Sequence, residues 1–418
     1  MASRKGLSLA KTDFPLYCVR SLGDRHFLIA GGGGQAKTGI PNAIEIYELK
    51  LIDGRISAVS VGRHDTGTQA VMNCTSFYDG RNHQLAVGQD EMCCLYSLKY
   101  SVIPVSKKHT EENSTKNRKK EADTKKKENE EKTDNKKAET KQIKFDVTEI
   151  KSIPTDFDKE GGFQKVVRFS PNHKFFATGG VDGHLRVWKY PDCDKIFDIK
   201  AHDSDIDDID ISPAGDRIAT VSRDHTGCVW KSDNGEEVIG LVNSNLKGYR
   251  YRCCRYGLVE GKQDKCNLYT ISIPITRSSK PLPCYITTFD HKKYSIRKQA
   301  KAGTEVLSSL AVSEDGIYLG VGTLSGSVAV YISFSLQKLY YVKAAHGIFV
   351  TGVEFMSNSE SCQAITGDKD FTLLSISADN TVKLHQVNPR GSISALWIII
   401  GFVILVYFLF WLLAELGV

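Results

Sequence analysis

The chain has 418 residues, of which 41% are hydrophobic, with 35 glycines and 11 prolines. That is apolar material for a large core, and the glycine content suits many short strands joined by tight turns. The net charge is +6, but residues 106–141 hold 13 Lys/Arg against 9 Asp/Glu, so the rest is nearly neutral and lacks the basic domain that marks a nucleic-acid binder.

From the N-terminus, Met1 to Tyr17 contains no apolar run long enough for a signal peptide. Pro15–Val61 then offers four strands. Between the strands His26–Ala30 and Ala43–Leu49 lies Gly31-Gly32-Gly33-Gly34-Gln35-Ala36-Lys37-Thr38-Gly39-Ile40-Pro41-Asn42. A plain hairpin needs about 2–5 loop residues; this one spends about twelve. Consecutive glycines reach backbone conformations closed to other residues, at an entropic cost. A loop that long and costly points to function.

Two phosphate-binding patterns nearly match. Gly31–Thr38 reads as G-x-x-x-x-G-K-T with Ala36 in place of the last glycine, and Gly31, Gly33 and Ala36 fit G-x-G-x-x-A. Both require a helix next, because the phosphate sits on its first N–H groups. Gly39, Pro41 and a strand follow instead, which argues against nucleotide binding. The close carbonyls of Gly31, Gly32, Gly33 and Gly34 are a donor set of the kind that holds a monovalent cation.

Ala70–Pro154 offers four more strands, interrupted by 106–141, a tract of Lys, Glu, Asn, Thr and Asp. Such a tract buries too little apolar surface to offset its ordering entropy, so a disordered loop is expected. Its interleaved acids dilute any field that would draw it to anionic lipid or nucleic acid.

Val166–Tyr190 and Ile206–Lys231 are copies of one unit: strand, Ser-Pro turn, strand, Asp-containing turn, strand ending Val-Trp-Lys. Ser170 to Ser212 and Trp188 to Trp230 are both 42 residues, within the WD40 period of about 40–45. His202 with Asp224 and Trp230, His346 with Asp379, and Asp182 with Trp188 fit the structural network of such repeats better than catalysis or metal binding. The acidic run Asp203–Asp210 lacks the EF-hand spacing, and its isoleucines read as a strand. Tyr249–Phe289, Leu310–Ile332 and Gly352–Val387 are weaker copies, which makes seven units. Seven is a number at which a propeller closes. The last unit stops at its third strand, and the N-terminus is expected to supply the fourth as a latch. No G-x-S-x-G, H-E-x-x-H or kinase signature appears. The eleven cysteines include no C-x-x-C pair, as for buried thiols in a reducing compartment.

Residues 391–414 carry no charge, and Ile393–Leu413 is a 21-residue apolar stretch flanked by Trp397 and Trp411. About 20 such residues span a bilayer. Lys383 and Arg390 upstream place the large N-terminal part in the cytosol. The expected organisation is an all-β, seven-bladed WD40-like propeller over 1–388, a linker at 389–392, a transmembrane helix at 393–414 and a lumenal tail at 415–418. This is a tail-anchored topology.

Ala-Gly-Gly-Gly-Gly, four intervening residues, then Gly-Ile-Pro-Asn, in the first blade of a tail-anchored propeller, resembles the prolactin-regulatory-element-binding protein family. These are endoplasmic-reticulum exchange factors for the Sar-type small GTPase of coat protein complex II. The resemblance covers essentially the whole chain; the glycine loop is its specific part. It implies guanine-nucleotide exchange without covalent chemistry, a Sar-type small GTPase and exit-site scaffold proteins as partners, and the endoplasmic-reticulum membrane as location. It implies that the loop projects into the GTPase, shaped by Gly31–Gly34, with Gly39, Ile40 and Pro41 at its tip and Asn42 as the polar contact. A potassium ion is implied among the loop carbonyls, and no organic cofactor. The rival readings are a membrane-tethered WD40 scaffold without exchange activity and, from the family's name, a DNA-binding regulator. The near-neutral propeller and the apolar tail oppose the latter.

Overall fold

The computed structural model describes residues 6–35, 39–104, 141–242, 246–259, 262–276, 279–389 and 395–416. The charged tract 106–140 lies outside them. An N-terminal strand β1 (Leu7–Lys11) precedes the ring. Blade 1 is β2 (Leu16–Ser21), β3 (His26–Gly32), β4 (Asn42–Ile52) and β5 (Arg55–Asp65). Blade 2 is β6 (Asn73–Tyr78), β7 (His83–Gln89), β8 (Met92–Pro104) and β9 (Lys141–Pro154). Blade 3 is β10 (Gln164–Phe169), β11 (Phe175–Gly180), β12 (His184–Lys189) and β13 (Lys195–Lys200). Blade 4 is β14 (Ile206–Ile211), β15 (Arg217–Ser222), β16 (Gly227–Lys231) and β17 (Glu237–Gly240). Blade 5 is β18 (Tyr249–Val259), β19 (Lys262–Pro274), β20 (Cys284–Asp290) and β21 (Ile296–Gly303). Blade 6 is β22 (Leu307–Val312), β23 (Tyr318–Thr323), β24 (Val328–Ile332) and β25 (Lys338–Val342). Blade 7 is β26 (Val350–Phe355), β27 (Phe371–Ser377) and β28 (Thr381–Val387), with the short helix α1 (Glu360–Thr366) between the first two.

Each blade is a four-stranded antiparallel sheet, and the fourth strand of blade 7 is β1, paired to β28 with Leu7 opposite Leu384 and Lys11 opposite Thr381. The latch expected from the missing outer strand is therefore present. The innermost strands touch in sequence around the ring, and β2 packs on both β6 and β26, which closes it. Seven blades agree with the repeat count.

Sequence dictates the blade locally. In β12 the run Leu185-Arg186-Val187-Trp188 is wholly buried, because neighbouring blades cover both faces of the strand. The Ser-Pro turns are built from side chains: the Ser170 hydroxyl donates to the Phe175 carbonyl at 2.8 Å, while Asn172 accepts the Lys174 N–H. Blades 1 to 6 share a bulge opposite the outer strand, just before a buried aromatic: Tyr47, Tyr96, Trp188, Trp230, Phe289 and Tyr331. The core lies between blades. Leu28, Ile44 and Ile46 of blade 1, for example, pack on Leu85, Val87 and Tyr96 of blade 2.

The chain ends in helix α2 (Ala395–Glu415). Its described side chains are those of 399–413 and Glu415, and among the described residues no helix is long and apolar enough to cross a membrane. The expected bilayer span is thus not established by the fold.

Candidate functional site

Strand direction divides the connections into two groups. Those joining the second and third strands of a blade, and one blade to the next, emerge at one end of the ring. The rest emerge at the other. The glycine loop belongs to the first group. The connection is nine residues, 33–41, rather than about twelve, because β3 keeps its pairing through Gly32, which sits opposite Asn42.

The four glycines are needed for two different reasons. A Cβ on Gly31 would fall 1.9 Å from the Pro15 carbonyl oxygen, one on Gly32 would fall 2.0 Å from Asn42 Oδ1, and one on Gly33 would fall 2.7 Å from Ile40 Cβ. These positions are close approaches. Gly34 and Gly39 have open space around them but φ of +72° and +74°, so the backbone itself excludes other residues. The turn is therefore packed against its own base.

Asn42 does not point outward. It is only 4% exposed. Its Oδ1 accepts the Gly34 N–H at 2.8 Å, and its Nδ2 donates to the Gly67 carbonyl at 2.9 Å and, at 3.4 Å, to that of Gly34. One amide thus ties the start of the loop to the segment that leads into blade 2. A second tie comes from blade 2: Asp90 Oδ2 accepts from Gln35 Nε2 at 2.9 Å and from Gln69 Nε2 at 3.3 Å. Sequence reasoning missed Gln35, Gly67, Gln69 and Asp90. Asp90 stands at the tight turn between β7 and β8 with φ of +50°, and an aspartate in such a turn was the available signal. Of the expected tip, Gly39 and Ile40 are exposed and Pro41 is half-buried; Ile40 is 39% exposed. Residues 36–38 lie outside the described ones.

The histidine networks are structural, as expected. His202 is buried, with Nδ1 3.0 Å from Asp224 Oδ2 and Nε2 2.7 Å from Thr220 Oγ1, which also receives the Trp230 indole N–H at 2.8 Å. His346 repeats this with Asp379, Thr381 and Ser375. In that blade His385 takes the ring's place, its Nε2 2.8 Å from Ser375 Oγ. Blade 3 keeps Trp188 donating to Thr178, while Asp182 pairs with Arg186. Burial pulls the pKa of His202 and His346 down against the pull of their aspartates.

The acidic run is strand β14, and its carboxylates line a central cavity of about 630 Å³. There Asp207 meets Lys165 at 2.6 Å and Arg252 at 3.3 Å, and Asp208 and Asp210 meet Arg168 and Arg255. Burial raises the Asp207 pKa, but Arg252 and Lys165 outweigh it and hold the carboxyl below its ordinary value. Arg168, buried and repelled by Arg255 and Arg20, falls to about 10. Acids and bases neutralise one another here. Among the described residues no group of His, Cys, Asp and Glu could hold a metal ion.

Fold and site together define a WD40 propeller whose first blade carries a glycine-rich connection tied at its start by Asn42 and Asp90. The WD domain, G-beta repeat family matches residues 164–189 and 193–231. The WD40 β-propeller domain of Doa1 superposes with a TM-score of 0.55 over 91% of this chain and 96% of that one, at 14% identity, a likeness of fold alone. The guanine nucleotide-exchange factor SEC12 of Mus musculus is 37% identical over 96% of this chain and 95% of its own length, and that of Rattus norvegicus is equally similar. SEC12-like protein 1 of Arabidopsis thaliana is 29% identical over 47% of each chain. The chain belongs to the SEC12 guanine nucleotide-exchange factor family.

Proposed function

We propose that this protein is the guanine-nucleotide exchange factor for a Sar-type small GTPase at the endoplasmic reticulum, starting coat protein complex II assembly, and that it acts through the glycine loop. Family membership supports the activity. The observation that favours the loop is that its start is already held, by the Asn42 clamp on Gly34 and Gly67 and by Gly31, Gly32 and Gly33, which have no room for a side chain.

Exchange requires no proton transfer. It requires a surface that binds the nucleotide-free GTPase better than the loaded one, so that the population shifts toward release. A loop already ordered loses less entropy on binding. Gly39, Ile40 and Pro41 are the part that meets the GTPase. Asn42 acts from beneath, by holding Gly34 to Gly67. A plain scaffold would leave unexplained the conformational cost of five glycines in and beside this one connection.

Two finer elements belong to the same reading. The first is a potassium ion among the loop carbonyls. Among the described residues the Gly34 carbonyl receives one long bond, 3.4 Å from Asn42, a weak engagement for an oxygen that could face a cation. Neutral carbonyl oxygens suit a weakly hydrated monovalent ion; a divalent one would call for carboxylates. The second is anchorage by α2, with the propeller in the cytosol. The helix has 21 residues, about 31 Å at 1.5 Å per residue, and its side chains over 399–413 are apolar and nearly all exposed. Lipid is the medium such a surface fits.

The test is GDP release from a Sar-type GTPase with the full chain in detergent. Acceleration that Ile40→Ala and Asn42→Ala both abolish supports the activity and its site. Acceleration indifferent to both moves the site elsewhere, and a folded protein without effect refutes the reading.

A further inference from the structure

The glycine connection is nine residues, 33–41, whereas a specific protein interface takes roughly 20–30 residues a side. A GTPase engaged by the loop must therefore cover more of the propeller, and exposed apolar side chains at that end of the ring show where. Leu324, in the turn between β23 and β24, is 47% exposed, and Ile348 and Phe349, between β25 and β26, are 44% and 40% exposed. The other large apolar side chains at this end stand apart from them. The Phe157 ring lies under the Arg186 guanidinium at 4.8 Å, and Val242, Ile275 and Leu282 belong to blades 4 and 5, across the ring from the glycine loop.

Leu324, Ile348 and Phe349 share one surface. A Cβ on Gly326 would fall 2.3 Å from the His346 carbonyl oxygen and 2.7 Å from that of Ile348, so the turn that carries Leu324 packs directly on the segment that carries the other two. Blade 7 and the latch connect that segment to the base of the glycine loop: Ser377 Oγ donates to the Phe349 carbonyl at 2.8 Å, the Thr12 N–H to the Asn380 carbonyl at 2.9 Å, and the Gly32 N–H to the Pro15 carbonyl at 3.0 Å. The charges around the patch cancel, Lys343 and Lys383 against Glu305 and Asp379, so the surface it fits is apolar rather than charged.

The blade itself does not call for apolar residues in these places. Blade 4 builds the same backbone: the Asp203 N–H donates to Asp224 Oδ2 at 3.1 Å, as the Gly347 N–H does to Asp379 Oδ2 at 2.8 Å. The two residues that follow are Ser204 and Asp205 in blade 4, against Ile348 and Phe349 in blade 7. Likewise the Arg223 N–H donates to the Asp205 carbonyl at 2.9 Å, and the Leu324 N–H to that of Val306 at 2.8 Å, so Leu324 stands where blade 4 has an arginine. Three water-facing positions that one blade fills with polar side chains are apolar at the seam of blades 6 and 7, and clustered apolar exposure of that kind marks an interaction site.

We infer that Leu324, Ile348 and Phe349 are a second docking patch for the small GTPase, one that holds it with and without nucleotide while the glycine loop distinguishes the two states. The inference rests on the exchange reading above. Blade 7 lies between patch and loop, so the patch meets the GTPase away from the nucleotide that the loop disturbs. Binding that is equal in both states lowers KM and leaves kcat alone.

The test is GDP release by the full chain in detergent, measured against the concentration of GDP-loaded GTPase. Leu324→Arg, Ile348→Ser and Phe349→Asp together restore the residues of blade 4; they should raise KM about tenfold or more with kcat and the thermal midpoint unchanged, whereas Ile40→Ala acts on kcat. In a chain otherwise unaltered, photoreactive benzoylphenylalanine in place of Phe349 should cross-link the GTPase whether it is GDP-loaded or nucleotide-free. An unchanged KM, a loss confined to kcat, or cross-links only to a second copy of this chain would each overturn the patch. Cross-links to the GTPase from a chain that does not accelerate release would keep the docking and remove the exchange reading; neither cross-links nor acceleration would remove both.

Discussion

Replacing Asn42 by alanine removes the hydrogen bond to the Gly34 N–H and the one to the Gly67 carbonyl, at 2.8 and 2.9 Å, while leaving the strand pairing of residue 42 with Gly32 intact. A typical net contribution is about 0.5–1.5 kcal/mol per bond, so the ordered loop loses roughly 1–3 kcal/mol. If the GTPase binds only the ordered loop, that loss appears in kcat/KM for GDP release as a fall of roughly 5- to 150-fold. Asn42 is buried but belongs to neither hydrophobic cluster of blade 1, so the thermal midpoint should fall by no more than a few degrees. Stopped-flow release of a fluorescent GDP from a Sar-type GTPase reads the first quantity, and amide exchange at Gly34 reads the order of the loop. Faster amide exchange at Gly34 with an unchanged rate of GDP release would refute the claim that pre-ordering drives exchange.

The two kinds of glycine predict different failures. Gly31→Ala forces a Cβ onto the Pro15 backbone and should cost the fold about 3 kcal/mol or more, seen in urea unfolding; Gly39→Ala meets only backbone strain of about 1–2 kcal/mol and should slow GDP release with the urea midpoint nearly unchanged. Removing residues 1–11 exposes the β28 edge and the buried Leu9 contact, so it should destabilise the ring by at least about 1.5–3 kcal/mol and promote aggregation, read by thermal melts and size-exclusion chromatography. Burial pulls the pKa values of His202, His346 and His385 down, the last to about 3. Below about pH 6.5 the unfolded chain therefore takes up protons that the native one refuses. Stability should be full above that value and fall as pH drops through it, measured as urea midpoints at about pH 7.5 and 5.5. GDP release should be faster in potassium than in an equal concentration of N-methylglucamine, and Asn42→Ala should shrink that difference.

The repeat spacing determines more than element types. Ser170 and Ser212, and Trp188 and Trp230, lie one blade apart because each blade must return the chain to the same radius of the ring, and the 42-residue interval between them records that closure. The strands of the degenerate fifth blade, the N-terminal latch and the structural histidines were legible for the same reason. The partners of the strands and histidines are local or lie at a fixed repeat distance, and the latch followed from the count, because the last unit lacked its outer strand. The nucleotide-binding look of Gly31–Thr38 could be set aside from sequence, because Pro41 and a strand follow where a helix is needed.

The inward turn of Asn42 was not legible. Its partners, Gly34 and Gly67, meet only when blade 1 delivers the chain to blade 2, and Asp90 joins them from the next blade. Likewise the aspartates of β14 read only as a strand. Their neutralisation by Lys165, Arg168, Arg252 and Arg255 requires adjacent blades to bring separate innermost strands around one cavity. Local pattern and period, carried by residues close in sequence, set the blades and their number. Which polar group faces a partner and which holds the loop depends on contacts between blades, and those exist only once the ring has closed.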